Sequence, residues 1–325
     1  MKKQFIPVIL AAVVSLAIPS LFMSLTVNDD RSDEESNASH TEIKDIIFSP
    51  VETMIRVIDN ENRLVQMDLN SYLLGVLLRE MPANFELEAL KAQAVVARTY
   101  ALMRNLKGDK HSNYAVCTDS SCCQGYWLPE DYLSSGGDPQ AVERIKQAVE
   151  DTHDLVITYS GELNEANYFS CSGGKTEDAQ AVWGADIPYL QSVDSPGEEE
   201  ATHFTDTLKF TAEEFQALIG DDLLGQSGTW IKGITYTEGG GVDTITIGNV
   251  TYTGTKIRSL LKLPSTAFVI SAVVDTIIIT TKGFGHRVGM SQYGADAMAV
   301  NGNSFEQILQ YYYIGTQLGH WADFV

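Results

Sequence analysis

The sequence predicts an α+β domain that lies outside a membrane, behind an N-terminal transmembrane helix. Three observations predict it: an uncharged apolar run near the N-terminus, an acidic polar stretch after it, and helical and strand-like segments that alternate through the remainder. The composition is that of a globular protein, with 44% hydrophobic and 20% charged residues. The formal charge of −21 argues against nucleic acid as a partner, because a protein that binds phosphates needs a basic face.

The apolar run is FIPVILAAVVSLAIPSLFMSL, residues 5–25. A helix needs about 20 apolar residues to cross a bilayer. Residues 1–4 include Lys2 and Lys3, which favour a cytoplasmic N-terminus and an outer location for the rest of the chain. A cleaved signal peptide is the alternative, but it would have a shorter apolar run and a small-x-small cleavage site. We therefore expect an uncleaved, single-pass anchor.

The remainder divides into an acidic linker at residues 26–49 and an outer domain at residues 50–325. The linker contains NDDRSDEESNASHTEIKD, which has too few large apolar residues to form a core. The outer domain opens with two strand-like runs, ETMIRVID and RLVQMDL, around an Asp-Asn-Glu-Asn turn. This pattern predicts a β-hairpin.

Two helices are expected after the hairpin. Helical spacing begins near Asn70, and Pro82 ends it because the residue before proline avoids helical geometry. The second helix is expected from Phe85 to Leu106, with Asn84 as its N-cap. Residues 107–140 are predicted to be rich in loops. Beyond them the sequence predicts helices in DPQAVERIKQAVEDTHD and TAEEFQALIGD, strands in LVITYS, ANYFSCS, VDTITIGNVTYTG and VVDTIIITT, and two helices in SQYGADAMAVNGNSFEQILQYYYIG.

Glu80 ends the apolar stripe of the first of these helices. Leu73, Val76, Leu77 and Glu80 follow the i, i+3, i+4, i+7 rule and therefore share one face. Desolvation by apolar neighbours raises a carboxyl pKa, and a carboxylic acid that keeps its proton near neutral pH is suited to general acid catalysis. Glu80 is therefore the candidate catalytic residue.

Arg98 lies on an apolar face of the second helix. An arginine in such a place needs an anion or carbonyl groups as its partner. One hypothesis is that Arg98 binds substrate. The alternative is a buried ion pair with Glu80 that only positions the two helices.

Three ordered motifs carry a family resemblance: REMPANFELEALKAQAVVARTYA, YFSCSGGKTE and GFGHRVGMSQYGA. Together they resemble the stage II sporulation protein D family and its relatives that assist amidases. The resemblance implies a peptidoglycan lytic transglycosylase domain that acts during engulfment of the forespore, on glycan strands whose stem peptides an amidase has removed. The family's catalytic glutamate, before Met-Pro, is Glu80 here, and the arginine of ARTY is Arg98.

One carboxylate is sufficient for the implied reaction, whereas ordinary glycosidases use two. Glu80 would protonate the glycosidic oxygen and then accept the proton of the C6 hydroxyl of N-acetylmuramic acid, which attacks C1 to leave a 1,6-anhydro end. The competing hypothesis is a non-catalytic module that binds peptidoglycan and enhances an amidase, and this module would tolerate glutamine in place of Glu80. The hypothesis of a zinc peptidase is weaker, because the sequence has no H-E-x-x-H pattern.

Two glycine-rich motifs supply the other candidate substrate-binding residues. In SCSGGKTE, Ser172 is a candidate for hydrogen bonds to sugar groups and Lys175 for the lactyl carboxylate that peptide removal exposes, with a tight turn as the alternative. In GFGHRVGMSQYGA, Gln292 is a candidate, and His286 is expected either to orient substrate or the glutamate, or to be a structural hydrogen-bonding group. Arg287 stands where glycine is common in the family pattern, which argues against a role for bare backbone there.

His111, Cys117 and Cys123 recur at intervals of six in HSNYAVCTDSSCC. Thiolate and imidazole ligands suit zinc, and some members of the resembled family hold zinc through one histidine and two cysteines. We therefore expect a structural zinc ion, with water or another side chain in the fourth position. A disulfide is the alternative, because an outer domain permits oxidation and Cys122 and Cys171 are also available; free thiols are the third option.

The resemblance also implies partners and a location. The partners would be peptidoglycan glycan strands, a sporulation cell-wall amidase and a small membrane protein of the engulfment complex. The chain would lie in the mother-cell membrane, with its domain in the extracytoplasmic space that faces the forespore.

Overall fold

The computed structural model describes residues 53–324, apart from 109, 112, 114, 221, 222 and 224. The expected anchor at residues 5–25 and the expected linker at residues 26–49 lie outside the described residues. Within the described part, no helix is both long and apolar enough to cross a membrane. The architecture is mixed α+β, as predicted.

The predicted hairpin is present. Strands β1 (Met54–Ile58) and β2 (Leu64–Asp68) pair antiparallel, and β3 (Val116–Cys117) joins β1 in parallel. Asp59 closes the turn, because its carboxylate accepts hydrogen bonds from the amide of Arg63 at 2.8 Å and from its Nε at 2.8 Å.

The two helices after the hairpin are α1 (Leu69–Glu80) and α2 (Leu87–Lys107). The predicted N-cap of α2 is wrong: the cap position is Glu86 and not Asn84, and it makes no side-chain cap hydrogen bond. The reason is a turn before α2, in which the amide of Phe85 donates to the carbonyl of Pro82 at 3.1 Å. This turn keeps the intervening residues out of the helix.

The middle of the chain adds short elements around α2. The region predicted to be loops contains a short helix, α3 (Pro129–Ser134). The next predicted helix is confirmed as α4 (Pro139–Asp151), with Asp138 as its N-cap. The following elements are β4 (Leu155–Tyr159), β5 (Glu162–Leu163), β6 (Tyr168–Phe169) and α5 (Ala179–Trp183).

Residues 205–282 enclose a hydrophobic core between sheets and helices. The elements are β7 (Thr205–Thr211), α6 (Ala212–Ile219), β8 (Ile231–Tyr236), β9 (Val242–Ile247), β10 (Val250–Thr253), α7 (Gly254–Leu261), β11 (Phe268–Val273) and β12 (Thr276–Lys282). The sheets have the strand orders β10-β9-β8 and β11-β12-β7. The predicted strand VVDTIIITT is interrupted, because Val274 has a φ of 55° and reverses the chain.

The C-terminal segment returns to α2. Strand β13 (Met290–Ser291) pairs in parallel with β6, and β14 (Gln317–His320) pairs antiparallel with β4. The two predicted helices are confirmed as α8 (Gln292–Val300) and α9 (Phe305–Tyr312). A bridge between Cys171 and Phe284 places the two glycine-rich motifs side by side.

Helix α2 forms the centre of this arrangement. It packs against α1, α4, α8, α9 and β4, and it is buried on nearly all sides between Ala89 and Arg104. Most of the buried residues of α2 are apolar, as expected for a helix in a protein core, and Gln93, Arg98, Thr99 and Arg104 are buried with them. The motif at the end of α1 is thereby held against the C-terminal motif.

Candidate active site

Glu80 is the last residue of α1. Met81 leaves helical geometry at φ −117° and ψ 137°, as the following Pro82 requires. The amide of Met81 still donates to the carbonyl of Leu77 at 3.0 Å, so the final turn remains closed. The predicted end of the helix is confirmed, and it leaves the carboxylate half-buried at the edge of a cleft.

Opposing effects act on the carboxyl group of Glu80. Burial raises its pKa above the ordinary value, and this effect outweighs a hydrogen bond from the Gly125 amide and the positive charge of Arg79, which both lower the pKa. The Gly125 amide donates to Oε1 of Glu80 at 2.5 Å. The direction of the shift is the one predicted from the apolar stripe. The carboxyl group of Glu80 therefore keeps its proton to a higher pH than a solvated carboxyl group. When it does lose the proton, the Gly125 amide donates a hydrogen bond to the carboxylate.

The loop that carries Gly125 is fixed against the helices. Its neighbour Gln124 is fully buried and accepts a hydrogen bond from the Tyr72 hydroxyl at 3.2 Å. The side-chain amide of Gln124 donates to the Tyr168 hydroxyl, also at 3.2 Å. The amide of Trp127 donates to a carbonyl of α1 at 3.0 Å. The position of the donor that faces Glu80 is thus set by both sides of the loop.

The cleft beside Glu80 has a volume of about 770 Å³. Two aromatic side chains in its lining are unusually open, since Trp183 is 43% and Phe284 is 42% exposed. Neither was predicted: Trp183 lies outside the three motifs, and Phe284 lies within GFGHRVGMSQYGA, where its ring was not singled out. A second carboxylate, Glu165, also lines the cleft, and no motif in the sequence indicated it.

Cationic side chains also line the cleft, although the whole chain carries a charge of −21. Arg104 lies 4.9 Å from the ring centroid of Tyr100, and the ammonium of Lys110 donates to the Tyr100 hydroxyl at 3.2 Å. Arg79 is the third cation of the lining. Sequence reasoning missed this cluster as well, because α1, α2 and a loop each contribute one member.

His286 lies in the cleft as a neutral ring. Burial is the main cause that lowers its pKa to about 4, and the charge of Arg258 adds to it. Nδ1 accepts a hydrogen bond from the Val288 amide at 3.1 Å, so the neutral ring carries its proton on Nε2. The ring contacts those of Phe169 and Trp183, at centroid distances of 5.8 and 5.3 Å. The fold therefore holds His286 as a neutral ring, and a hydrogen bond to the Tyr168 backbone only partly offsets the effect of burial on its pKa.

Two side-chain amides of the cleft lining lack partners. The side-chain nitrogens of Gln292 and Asn167 are buried and have no hydrogen-bond partner among the described residues. A buried donor without a partner costs about 1–3 kcal/mol. Such donors are suited to a ligand that supplies the missing acceptors. Gln292 was predicted as a candidate, whereas Asn167 was missed.

Arg98 lies elsewhere, and its predicted contact with substrate needs correction. Its guanidinium is buried and donates to the carbonyls of Val149, Thr152 and Leu155, at 3.1, 2.8 and 3.2 Å. These carbonyls lie at and just beyond the end of α4, where helical carbonyls lack partners within the helix. Arg98 therefore joins α2 to the end of α4. Its partners are these backbone carbonyls, and not the carboxylate of Glu80 that the alternative hypothesis named.

Ser172 also needs correction, because it faces a buried carboxylate and not the cleft. Its hydroxyl and amide donate to Oε2 of Glu198 at 2.8 and 2.7 Å, and the Gly173 amide donates to the same oxygen at 3.0 Å. Ser195 donates to Oε1 at 2.6 Å. Glu198 thus organises the SCSGGK loop, a role that no sequence motif indicated.

Lys175 is on the surface and is not part of the cleft lining. Its ammonium lies 3.5 Å from a carboxylate oxygen of Glu238, which is largely exposed. The predicted contact with a lactyl carboxylate is therefore misplaced, and the cations of the cleft are better situated for it.

Arg287 occupies a backbone conformation that favours glycine, with a φ of 68°. Its buried guanidinium donates to the carbonyls of Ser172, Lys175 and Gly239, at 2.7, 2.6 and 2.7 Å. It also pairs with the buried carboxylate of Glu177 at 3.3 Å. The side chain joins the two glycine-rich motifs, and these contacts offset the strained backbone.

The predicted metal ligands converge near the cleft. His111, Cys117 and Cys123 are joined by Cys122, and their ligand atoms all lie within 4.8 Å of one another. Three thiols and one imidazole are a donor set that zinc prefers, so these residues fit the ion expected from the sequence. The four cysteines of the described chain are free, and Cys171 donates to a carboxylate away from the cluster. The disulfide alternative is therefore not formed.

Comparison with known proteins identifies a family model and two similar sporulation proteins. A family model described as "SpoIID: Stage II sporulation protein" matches residues 59–159. This range includes Glu80 and the thiol cluster, the group formed by His111, Cys117, Cys122 and Cys123. Stage II sporulation protein D of Bacillus subtilis strain 168 is 40% identical over 275 residues, 83% of this chain and 79% of that protein. Its counterpart from Bacillus amyloliquefaciens is 37% identical over 281 residues, 85% of this chain and 81% of that protein.

A more distant relative has a different name. A protein called Amidase enhancer, from Bacillus subtilis strain 168, is 28% identical over 297 residues, which are 75% of this chain and 40% of that protein. The two sporulation proteins are similar to this chain over most of both chains. The chain therefore belongs to the stage II sporulation protein D family.

Proposed function

We propose that the protein is a peptidoglycan lytic transglycosylase. It would cleave peptide-stripped glycan strands between N-acetylmuramic acid and N-acetylglucosamine, during engulfment in sporulation. The observation that carries the proposal is Glu80, a half-buried carboxyl in a large cleft whose pKa is raised by burial. A carboxyl in apolar surroundings is the usual general acid of glycan cleavage. Membership of a sporulation family supports the biological setting.

The proposed reaction uses Glu80 twice. The neutral carboxyl first gives its proton to the glycosidic oxygen, and the bond between this oxygen and C1 of the muramic acid breaks. The resulting carboxylate then accepts the proton of the C6 hydroxyl while that oxygen forms a bond to C1. The Gly125 amide, 2.5 Å from Oε1, stabilises the carboxylate between the two steps. Glu80 ends protonated, and the product carries a 1,6-anhydro ring.

The cleft has the surfaces that a glycan strand requires. The exposed rings of Trp183 and Phe284 offer flat apolar faces to sugar rings. The unpaired amide nitrogens of Gln292 and Asn167 supply donors for acetamido carbonyls or hydroxyls.

Selection of peptide-stripped strands follows from the charge of the cleft. Removal of a stem peptide leaves a free lactyl carboxylate on each muramic acid. Lys110 and Arg79 line the cleft and are cations suited to this carboxylate. The cell-wall amidase that removes the peptides would be the functional partner, together with a small membrane protein of the engulfment complex.

The proposed location is the mother-cell membrane, with residues 5–25 as the anchor and the cleft facing the forespore. The zinc ion, when bound by the thiol cluster, would have a structural role. The proposed cleavage uses the carboxyl group of Glu80 and the C6 hydroxyl of the substrate.

The test uses the full-length chain and peptide-stripped glycan strands, with fragments analysed by mass spectrometry. Wild type and Glu165→Gln are expected to release fragments with anhydro-muramic acid ends, and Glu80→Gln none. Reducing ends from wild type, lost in Glu165→Gln, would instead identify a hydrolase that uses two carboxylates. That result would overturn the transglycosylase mechanism.

A non-catalytic amidase enhancer is the second candidate function, favoured by the 28% identity to a protein of that name. It predicts no cleavage by wild type. It also predicts that wild type and Glu80→Gln bind glycan equally and stimulate an amidase equally.

A further inference from the structure

The thiol cluster has one more ligand than the sequence spacing indicated. Nε2 of His111 lies 3.6 Å from Sγ of Cys122 and 3.5 Å from Sγ of Cys123, and the two sulfurs are 3.9 Å apart. Zinc binds sulfur at about 2.3 Å and imidazole nitrogen at about 2.0 Å. Tetrahedral ligands at those lengths stand roughly 3.5–3.8 Å from one another. The cluster therefore already has the dimensions of a four-ligand site.

The backbone explains how two adjacent cysteines face the same point. The amides of Cys122 and Cys123 both donate to the carbonyl of Asp119, at 3.0 and 2.8 Å. The side chain of Asp119 accepts from the amide and the hydroxyl of Ser121, at 2.8 and 2.7 Å. This tight turn curls the chain around the cluster, so that neighbouring side chains converge.

The surroundings suit the charge of such a site. Three thiolates and one dication leave a net charge of −1, which a nearby cation would balance. The ammonium of Lys110 donates to the carbonyl of Cys122. Cysteine and imidazole ligands also favour zinc over the harder ions magnesium and calcium.

We propose that Cys122 fills the fourth position of a closed zinc site with three thiolates and one imidazole, and that this site holds the loop that presents the Gly125 amide to Glu80. A zinc ion with four protein ligands has no position left for a reactive water, which is the arrangement of structural sites. Cys123 is followed by the buried Gln124 and then by Gly125, so the site and the catalytic carboxyl share one short loop.

The first test counts the ligands. The full-length chain is loaded with Zn²⁺ alone and studied by X-ray absorption spectroscopy, which needs no glycan and is therefore independent of the proposed cleavage. Wild type is expected to show three sulfur ligands and one nitrogen, and Cys122→Ser two sulfurs with weaker zinc binding, by at least about tenfold. Cys171→Ser is the matched control and should retain the wild-type spectrum, because Cys171 lies outside the cluster.

Two results would overturn the proposal. One is a wild-type spectrum with two sulfurs and two light atoms, since the fourth position would then be open. The other is the absence of stoichiometric zinc in wild type. Both results come from wild type, so the test stands even if Cys122→Ser does not fold.

The second test addresses the loop. Hydrogen exchange is measured for peptides that cover residues 118–127, before and after zinc is removed with a chelator. Exchange is expected to rise by about tenfold or more in this segment, and to stay unchanged in peptides from residues 205–282. Equal exchange of residues 118–127 in both states would show that the metal does not hold the loop.

Discussion

The backbone amide of Gly125 donates to Oε1 of Glu80 at 2.5 Å, and a Cβ atom at position 125 would lie 2.8 Å from the same oxygen. The close approach of backbone to carboxyl thus requires glycine. The contact also joins two distant parts of the sequence, the end of α1 and the loop that follows β3. It supplies a hydrogen bond that lowers the pKa of Glu80 and so opposes the effect of burial.

Gly125→Ala is expected to reduce glycan cleavage by at least about tenfold. The added methyl would meet Oε1 of Glu80 at 2.8 Å and Cγ of Arg79 at 2.7 Å, so the loop must move and the hydrogen bond is lost. Loss of a hydrogen bond to a charged group weakens its stabilisation by about 1.5–3 kcal/mol. The measurement is kcat for release of anhydro ends. Gly228→Ala is the control, because a Cβ there meets no atom within 4 Å; equal kcat in both variants would refute the role of the contact.

Glu80→Gln is expected to stabilise the fold at neutral pH. The folded-state pKa of Glu80 is raised, so folding favours the neutral carboxyl group. The uncharged side-chain amide of glutamine mimics this neutral form. The favourable contribution of the neutral carboxyl is fully present below about pH 4.3 and is lost as the pH rises through the raised pKa. Urea unfolding at pH 7 should show a higher free energy of unfolding than wild type, and this gain should vanish at pH 4. A gain of the same size at both pH values would exclude ionisation as its cause.

Arg98→Met is expected to destabilise the protein by about 3 kcal/mol. The reason is that the carbonyls of Val149, Thr152 and Leu155 lose their buried donor. Urea unfolding measures this loss. Arg98→Lys keeps the charge and should retain the wild-type KM for glycan. If Arg98→Lys raised KM tenfold without loss of stability, the original substrate-binding hypothesis would be restored.

Arg287→Gly is expected to destabilise by about 2–4 kcal/mol, although glycine relieves the positive φ. The substitution leaves the carboxylate of Glu177 buried without its cation, and an unpaired buried charge is strongly unfavourable. Adding Glu177→Gln should recover part of the loss. The measurement is a double-mutant cycle by urea unfolding, and strictly additive effects would show that the pair is not coupled.

Trp183→Ala and Phe284→Ala are expected to raise KM for peptide-stripped glycan by about tenfold, with little change in stability. Both rings are more than two-fifths exposed in the cleft, so their removal takes away a surface for sugars and leaves the core intact. Steady-state kinetics and thermal unfolding are measured together. Tyr236→Ala is the matched control, because its ring is 51% exposed on β8, outside the cleft. An unchanged KM in both cleft variants would place the glycan elsewhere.

Local features of this chain were predictable from the sequence. The hairpin, the end of α1 at Glu80, the raised pKa of its carboxyl, α4 and the two C-terminal helices are all confirmed. Each depends on neighbours within a few residues: a turn, a proline, a capping aspartate or an apolar stripe. The grouping of His111, Cys117 and Cys123 was also predictable, because they are close together in the sequence.

Tertiary structure decided which motif residues face the cleft. Periodicity places Arg98 on a buried face but does not say that the end of α4 covers that face. Ser172 is directed inwards by Glu198, a residue outside every motif, and Cys122 joins its neighbour only because a tight turn folds both towards His111. A pattern along the chain reports which side of an element avoids water. What packs against that side depends on long-range contacts, and these set the partners of each polar group here.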